Sequence, residues 1–238
     1  MAGYLFMPVL IVVVLALLYL DIHGKTLSRS EANRLNRSTI LQATWRHIEL
    51  TAVSTALVLL VAIPLGVLLT RRFARPITPA AIAVFNLGQA IPSIGLLFLF
   101  AIVWDIGFWP VIIALLAYTT LPVLRNTMVG LTQVDESVIE SARGMGMTKT
   151  AVLMRIELPL AVPIILAGLR TALTINVGTA TLGALVGSGG LGLIIVAGIA
   201  QNRPGTLVLS GAVLVAALAL IIDYLAGLAE DLLRPKGL

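Results

Sequence analysis

Six times along this chain, a stretch long enough to cross a membrane passes with no charged side chain, or with only one. The stretches are residues 4–20, 50–69, 77–104, 106–124, 158–202 and 204–222, and Arg170 is the single interruption. Roughly 20 apolar residues suffice to cross the hydrocarbon layer. Inside that layer the backbone must satisfy its own polar groups, so each run reads as helix. The alternation of a barrel strand is absent. Composition agrees, with 59% hydrophobic and 11% charged residues. A soluble domain carries about twice that charge, so these figures argue against a water-soluble enzyme, and against disorder as well. No cysteine is present for a disulfide framework. With His23 and His47 as the only histidines, neither a metal site nor a catalytic residue is expected. The chain reads as an all-α polytopic membrane protein.

Two of the stretches are too long to be plain spans. Residues 77–104 are broken by Asn86, Gln89 and the step Ile91-Pro92-Ser93. Proline removes a donor and kinks a helix, so a bend is expected at Pro92. Residues 158–202 are about twice the length of one crossing and carry Gly178, Gly183, Gly187, Gly189, Gly190, Gly192 and Gly198. One span from about Pro159 to Thr181 is expected, then a glycine-rich turn and a short apolar segment that re-enters the membrane or lies on it. Two complete spans are the alternative.

Lysine and arginine in short loops set orientation. Arg71, Arg72 and Arg75 form one set, Arg125, Arg143, Lys149 and Arg155 a second, Arg234 and Lys236 a third. These fall on one side, the cytoplasm, if the glycine-rich stretch adds no net crossing. The turns at Asp105 and Arg203 then face outward. Lys25, Arg29, Arg34, Arg37 and Arg46 disagree, because parity places that basic loop outside if residues 4–20 cross. Residues 38–50 are expected to form a short interfacial helix, with Trp45 and His47 at headgroup level. The net charge of +5 fits basic loops against anionic lipid. Nucleic-acid binding is not expected, since no basic face is interleaved with aromatics.

The longest polar stretch after Leu50 runs from Arg125 to Glu157. Residues 135–143 are helical in pattern, Gly144 and Gly146 break that helix, and a second helix follows over 148–157. Pro159 opens the next span. No nucleophile–base pair is present. A helix–glycine–helix between spans suits a lever that a soluble partner grips.

The spacing Glu140-Ser141-Ala142, Gly146, Ile156-x-Leu158-Pro159 resembles the EAA loop of ABC importer permeases, with Ser141 where alanine is usual. The likeness extends over about residues 45–238. It includes His47-x-x-Leu50, Ile63-Pro-Leu-Gly66, Gln89-Ala-Ile-Pro-Ser93, Leu121-Pro-Val-Leu-Arg-Asn126, Ala167-Gly-Leu-Arg170, Gly178-Thr-Ala-Thr-Leu182 and Gly187-Ser-Gly-Gly-Leu-Gly192. Together these look most like the osmoprotectant branch, for glycine betaine, choline or carnitine. The resemblance implies a type I ABC importer fold of about six spans, a five-helix core plus an N-terminal helix, in a bacterial-type inner membrane. It implies a permease domain over residues 45–230, preceded by a membrane helix and basic loop (1–44) and followed by a short tail (231–238). It also implies a second permease subunit, identical or related, and an external solute-binding protein. A separate cytoplasmic P-loop ATPase, holding ATP and Mg, would dock around Glu140–Gly146. This chain has no GxxxxGK[ST] and no cofactor of its own is expected.

Further candidates are polar or glycine positions within the spans. Asn86, Gln89, Ser93, Asn176, Thr179 and Thr181 each suit either a translocation path or a bond to a neighbouring helix. Arg170 falls roughly 15–18 Å past Pro159 along a helix, near mid-membrane. Such a charge faces a cavity or a partner, and Asp223 is a candidate partner. Gly187, Gly189, Gly190 and Gly192 suit a hinge near an outer gate, or close helix packing. They match a dinucleotide fingerprint in letters only, since the strand it needs is missing. Trp104 and Trp109 read as interfacial belts, and no aromatic cluster of the kind that holds betaine is evident. A methionine or phosphonate permease shares the loop. An ion-coupled secondary transporter would rest on Arg170 and Asp223 alone, without an internal repeat. An intramembrane enzyme lacks any credible pair.

Overall fold

The computed structural model describes residues 2–233, which are helical throughout apart from short connections. The long helices are α1 (Ala2–His23), α3 (Arg37–Leu69), α6 (Phe108–Thr132), α9 (Leu158–Ala180) and α11 (Leu209–Leu233). Between them come α2 (Arg29–Arg34), α4 (Thr78–Ala90), α5 (Ser93–Trp104), α7 (Glu136–Gly144), α8 (Lys149–Val152) and α10 (Gly192–Ala200). Five helical elements are long and apolar enough to cross a membrane, and six if the broken pair α4–α5 counts as one span.

Several expected boundaries move for physical reasons. The run 77–104 is two helices, interrupted at Ile91-Pro92, because proline cannot donate and its predecessor is driven out of the helical region. Residues 38–50 are not a separate interfacial helix. They are the start of α3, since no glycine or proline stops the helix before Leu50. Trp45 is exposed there, and His47 is fully buried within the protein. Ahead of α9, residues Leu153–Glu157 form a π turn instead of ending a helix. Leu158 N–H bonds back to the Leu153 carbonyl, five residues away. Pro159 comes next without an N–H, and the π turn carries the helix past it. As a result residues 149–186 form one continuous helical element.

The chain folds as two compact units. The first gathers residues 1–55, 91–116 and 173–224. Its core is Ala43, Val177, Leu191, Ile194, Ala197, Leu207 and Leu218. The Ser28 hydroxyl caps α2 and the Glu31 carboxylate returns the bond to Ser28 N–H at 2.9 Å. Bonds from the Ser28 side chain and backbone hold the Glu31 carboxyl below its usual range. Lys25 and Ser30 tie this segment to Gly205 O and Gln201.

The second unit gathers residues 56–90, 117–172 and 225–238. Here helices approach closely where they carry glycine. A Cβ on Gly66 would meet Thr127 at 2.7 Å, and one on Gly168 would meet Asn126 at 2.6 Å. Small residues let backbones pack tightly without a hydrophobic drive between helices. Leu131, Ala161 and Ile165 form the core beside them, flanked by Ile63, Val67, Leu153 and Leu158.

Within the glycine-rich stretch, α10 is nine residues long, shorter than one crossing requires. The basic sets at 71–75 and 125–155 all belong to the second unit. Arg234 and Lys236 lie outside the described residues. The basic segment 25–46 belongs to the first unit. Part of its charge is neutralised locally, by Lys25–Asp21 and Arg46–Glu49 at 2.6 Å each.

His47 is the main polar tie of the first unit. Leu191 N–H donates to its Nδ1 at 3.3 Å, so Nε2–H donates to the Val177 carbonyl at 2.9 Å. His47→Ala leaves Leu191 N–H without its acceptor, removes one of the donors to Val177 O and opens a cavity. A loss of about 2–4 kcal/mol is expected, read as a lowered thermal midpoint in detergent.

Candidate coupling loop and outer gate

The polar loop after α6 folds as the EAA spacing suggests. Asp135 caps α7 by accepting Ser137 N–H at 2.8 Å. Backbone and then hydroxyl bonds from Ser137 hold the Asp135 carboxyl below its usual range. Glu136 in the first turn and Arg143 in the last suit the helix dipole. Ala142 is buried beneath α7, while Glu140, Ser141 and Gly146 face outward. Gly146 ends the turn at φ +88°, where a side chain is strained but nothing else lies nearby. Thr148 then caps α8 through Ala151 N–H. Ile156 and Leu158 are half-buried and Pro159 is exposed.

Three residues of this region escape a motif reading. Met145, between the two glycines, is 77% exposed. An apolar side chain so placed suits a surface that a partner covers. Glu157, the variable position within Ile156-x-Leu158, is buried and receives Arg71 at 2.6 and 3.4 Å. The pair borders a cavity of about 750 Å3 that also touches Arg72, Arg143 and Lys149. Sequence could have suggested Glu157 and Arg71 only as isolated charges at the ends of apolar runs.

The gate candidates lie in the first unit. A 3-10 turn over Thr181–Val186 ends at Gly187 (φ +77°), and Gly189 and Gly190 are also left-handed. The backbone bonds of this irregular loop are supplied from two sides. Gly107 N–H donates to Val186 O at 2.8 Å, and Arg46 Nε–H to Ser188 O at 3.1 Å. Gly192 begins α10 so close to Thr181 O that no side chain fits.

The remaining polar candidates find partners within their own units. Asn86 Oδ1 accepts from Arg125 at 2.9 Å, and Gln89 Nε2 donates to Tyr118 O at 3.1 Å. Arg170 Nη1 lies 3.9 Å from the Glu230 carboxylate, beside Gly227. In the other unit, Asn176 is fully buried and donates to Thr55 at 3.0 Å, and Thr181 donates to Val177 O at 3.4 Å. Pro92 and Ser93 start α5, and Thr179 is half-buried. One expectation is corrected. Trp104, Phe108 and Trp109 do cluster, around a single concavity with Asp105. They are separated in sequence by a turn, so no helical spacing announced them.

Two outcomes follow from the loop. Arg71→Ala strands the buried Glu157 carboxylate at a cost of about 2 kcal/mol, less than for a fully buried pair because Arg71 is one-third exposed. Arg71→Lys recovers only part, for want of a second bond, and thermal midpoints check both. The Asp135 cap is present above the ordinary carboxylate value and is lost as pH falls through the lower folded value. The protection factor of amides 136–139, measured against the intrinsic rate at each pH, is therefore flat from about pH 5 to 8 and falls below about 4. Asp135→Ala lowers that protection from about pH 5 to 8, and Asp135→Asn keeps the cap.

Comparison with known proteins completes the picture. The profile of the family described as "Binding-protein-dependent transport system inner membrane component" matches residues 62–235. The chain is 38% identical to the carnitine transport permease OpuCD of Listeria monocytogenes, over 84% of this chain and 89% of that one. It is 39% identical to the choline transport system permease OpuBB of Bacillus subtilis, over 85% and 92%. It is 41% identical to the osmoprotectant import permease OsmY of Salmonella typhimurium, over 90% and 89%. Among solved structures, the inward-facing MetNI methionine ABC transporter superposes with a TM-score of 0.74 at 24% identity, over 82% of this chain and 96% of that one. An amino acid ABC transporter superposes at 0.68 and 17% identity, over 87% and 99%. At these identities the likeness is one of fold, the type I importer fold. The chain belongs to the binding-protein-dependent transport system inner membrane components, the multi-pass inner-membrane permease subunits of ABC importers.

Proposed function

We propose that this chain is the permease of an ATP-driven importer of quaternary-ammonium osmoprotectants such as glycine betaine, choline or carnitine. The observation that carries the reading is 38–41% identity to carnitine, choline and osmoprotectant permeases over most of both chains. Family membership implies a partner ATPase, where ATP and Mg are handled, and a solute-binding protein. In our reading the permease domain is residues 45–230, with 1–44 an N-terminal addition and 231–238 a tail, and a second permease subunit completes the path.

Coupling runs through Glu140, Ser141, Ala142 and Gly146, with Met145 as the apolar contact. Ile156, Leu158 and Pro159 carry the motion onward. The support for this is mechanical. The helical element that begins at Lys149 beside the loop continues without a break to Val186, next to the gate glycines. Gly187, Gly189, Gly190 and Gly192 are the hinge of the outer gate in this reading. Solute then passes polar groups drawn from Asn86, Gln89, Pro92, Ser93, Arg170, Asn176, Thr179 and Thr181.

The test expresses the tagged chain with its native neighbours. A P-loop ATPase is expected to co-purify, and Gly146→Asp to reduce its recovery roughly tenfold by removing the left-handed turn and crowding the contact. In a strain lacking other osmoprotectant uptake, labelled choline, carnitine or glycine betaine accumulates only with the intact loop. Chain-dependent uptake of methionine or phosphonate, with none of a quaternary amine, overturns the solute reading.

A further inference from the structure

The turn from α5 to α6 is built like a receptor for a soft cation. Trp104, Phe108 and Trp109 line one concavity of about 490 Å3, floored by Pro110 and Ile113 and edged by Asp105. Phe108 and Trp109 meet edge to face, centroids 5.5 Å apart. The cluster already holds a cation, since the Arg46 guanidinium carbon lies 4.4 Å from the Phe108 centroid. Arg46 is neutralised by Glu49 at 2.6 Å. The Asp105 carboxylate, which accepts Ile106 N–H at 2.7 Å, is then left as the net charge of the turn. Trp104 and Trp109 are each 63% exposed, open to an incoming group.

Aromatic faces with one nearby carboxylate favour a cation that has little hydration to lose and no N–H to satisfy, which is a quaternary ammonium. The turn also touches the gate. Gly107 N–H bonds Val186 O, and Arg46 bonds Ser188 O. We propose that residues 104–109 form a low-affinity receiving site for the quaternary ammonium head of the solute, with Asp105 as its counter-charge and the rings as its walls. The proposal rests on the osmoprotectant reading for its ligand class. A solute held here shares Phe108 with Arg46, one of the two groups that fix the glycine-rich loop, so arrival and gate loosening share a residue.

The chain has three tryptophans, so Trp45→Phe leaves only the two in the site as reporters. The full-length variant is placed in bilayer discs of phosphatidylethanolamine and phosphatidylglycerol. Choline is expected to change the fluorescence saturably. Its neutral carbon analogue, 3,3-dimethylbutan-1-ol, should bind roughly tenfold more weakly. Asp105→Asn keeps the turn bond and carries the same backbone strain as the aspartate at φ +132°, yet should weaken choline by a similar factor. Phe108→Leu keeps apolar volume and should do likewise.

Equal responses to both compounds, no saturation, or indifference to both substitutions overturns the site. Loss of the choline response in phosphatidylcholine discs overturns it as a solute site, because the lipid headgroup is then the occupant. Uptake by the complex reconstituted with its binding protein separates the two readings. Choline transport without a fluorescence response sinks the site alone, whereas a response with no transport of any quaternary amine sinks the transport reading alone.

Discussion

Every backbone amide at membrane depth must find its partner inside the protein, and this one demand organises the chain. Where the sequence can stay helical it does so, through 33 residues in α3 and 25 each in α6 and α11. Where it leaves the helix, after Val186, side chains and backbone from elsewhere in the same unit step in. His47 serves Val177 and Leu191, Arg46 serves Ser188, and Gly107 serves Val186. A mobile gate made of irregular backbone is possible only because these donors and acceptors stand ready. They also mark which bonds must break if the loop moves.

The same demand explains why the recurring small residues sit where they do. Gly66 and Gly168 face Thr127 and Asn126 at separations that exclude a methyl group. They are packing positions, and the polar residues opposite them bond within α6, Thr127 to Val123 O and Asn126 to Pro122 O. The helices that flank the loop after α6 meet through close packing at these positions. The Arg71–Glu157 and Arg170–Glu230 pairs add charged ties in the same unit.

Much of this was legible in the sequence because hydrophobic runs and loop charge are local signals. The spans, the helix near 136–144 and the family spacing could all be read from neighbours along the chain. What escaped such a reading required partners distant in sequence. His47 is held in the core by two backbone groups 130 and 144 residues away. The approach of Arg170 to Glu230 at 3.9 Å likewise joins different helices. The aromatic cluster was missed because its rings are gathered by a turn held at positive φ at Asp105 and Gly107, a geometry that composition does not reveal. The bend at Pro92 falls where the proline announced it, whereas a π turn carries the chain past Pro159.

That π turn at Leu153–Glu157 has a rotational side. A π turn accommodates one residue beyond the regular repeat, and one residue corresponds to about 100° of rotation about a helix axis. The face that α8 offers to a partner is thus set separately from the face that α9 offers to its neighbours. One residue gained or lost within Leu153–Glu157 would turn α8 by about 100° while leaving the packing of α9 as it is.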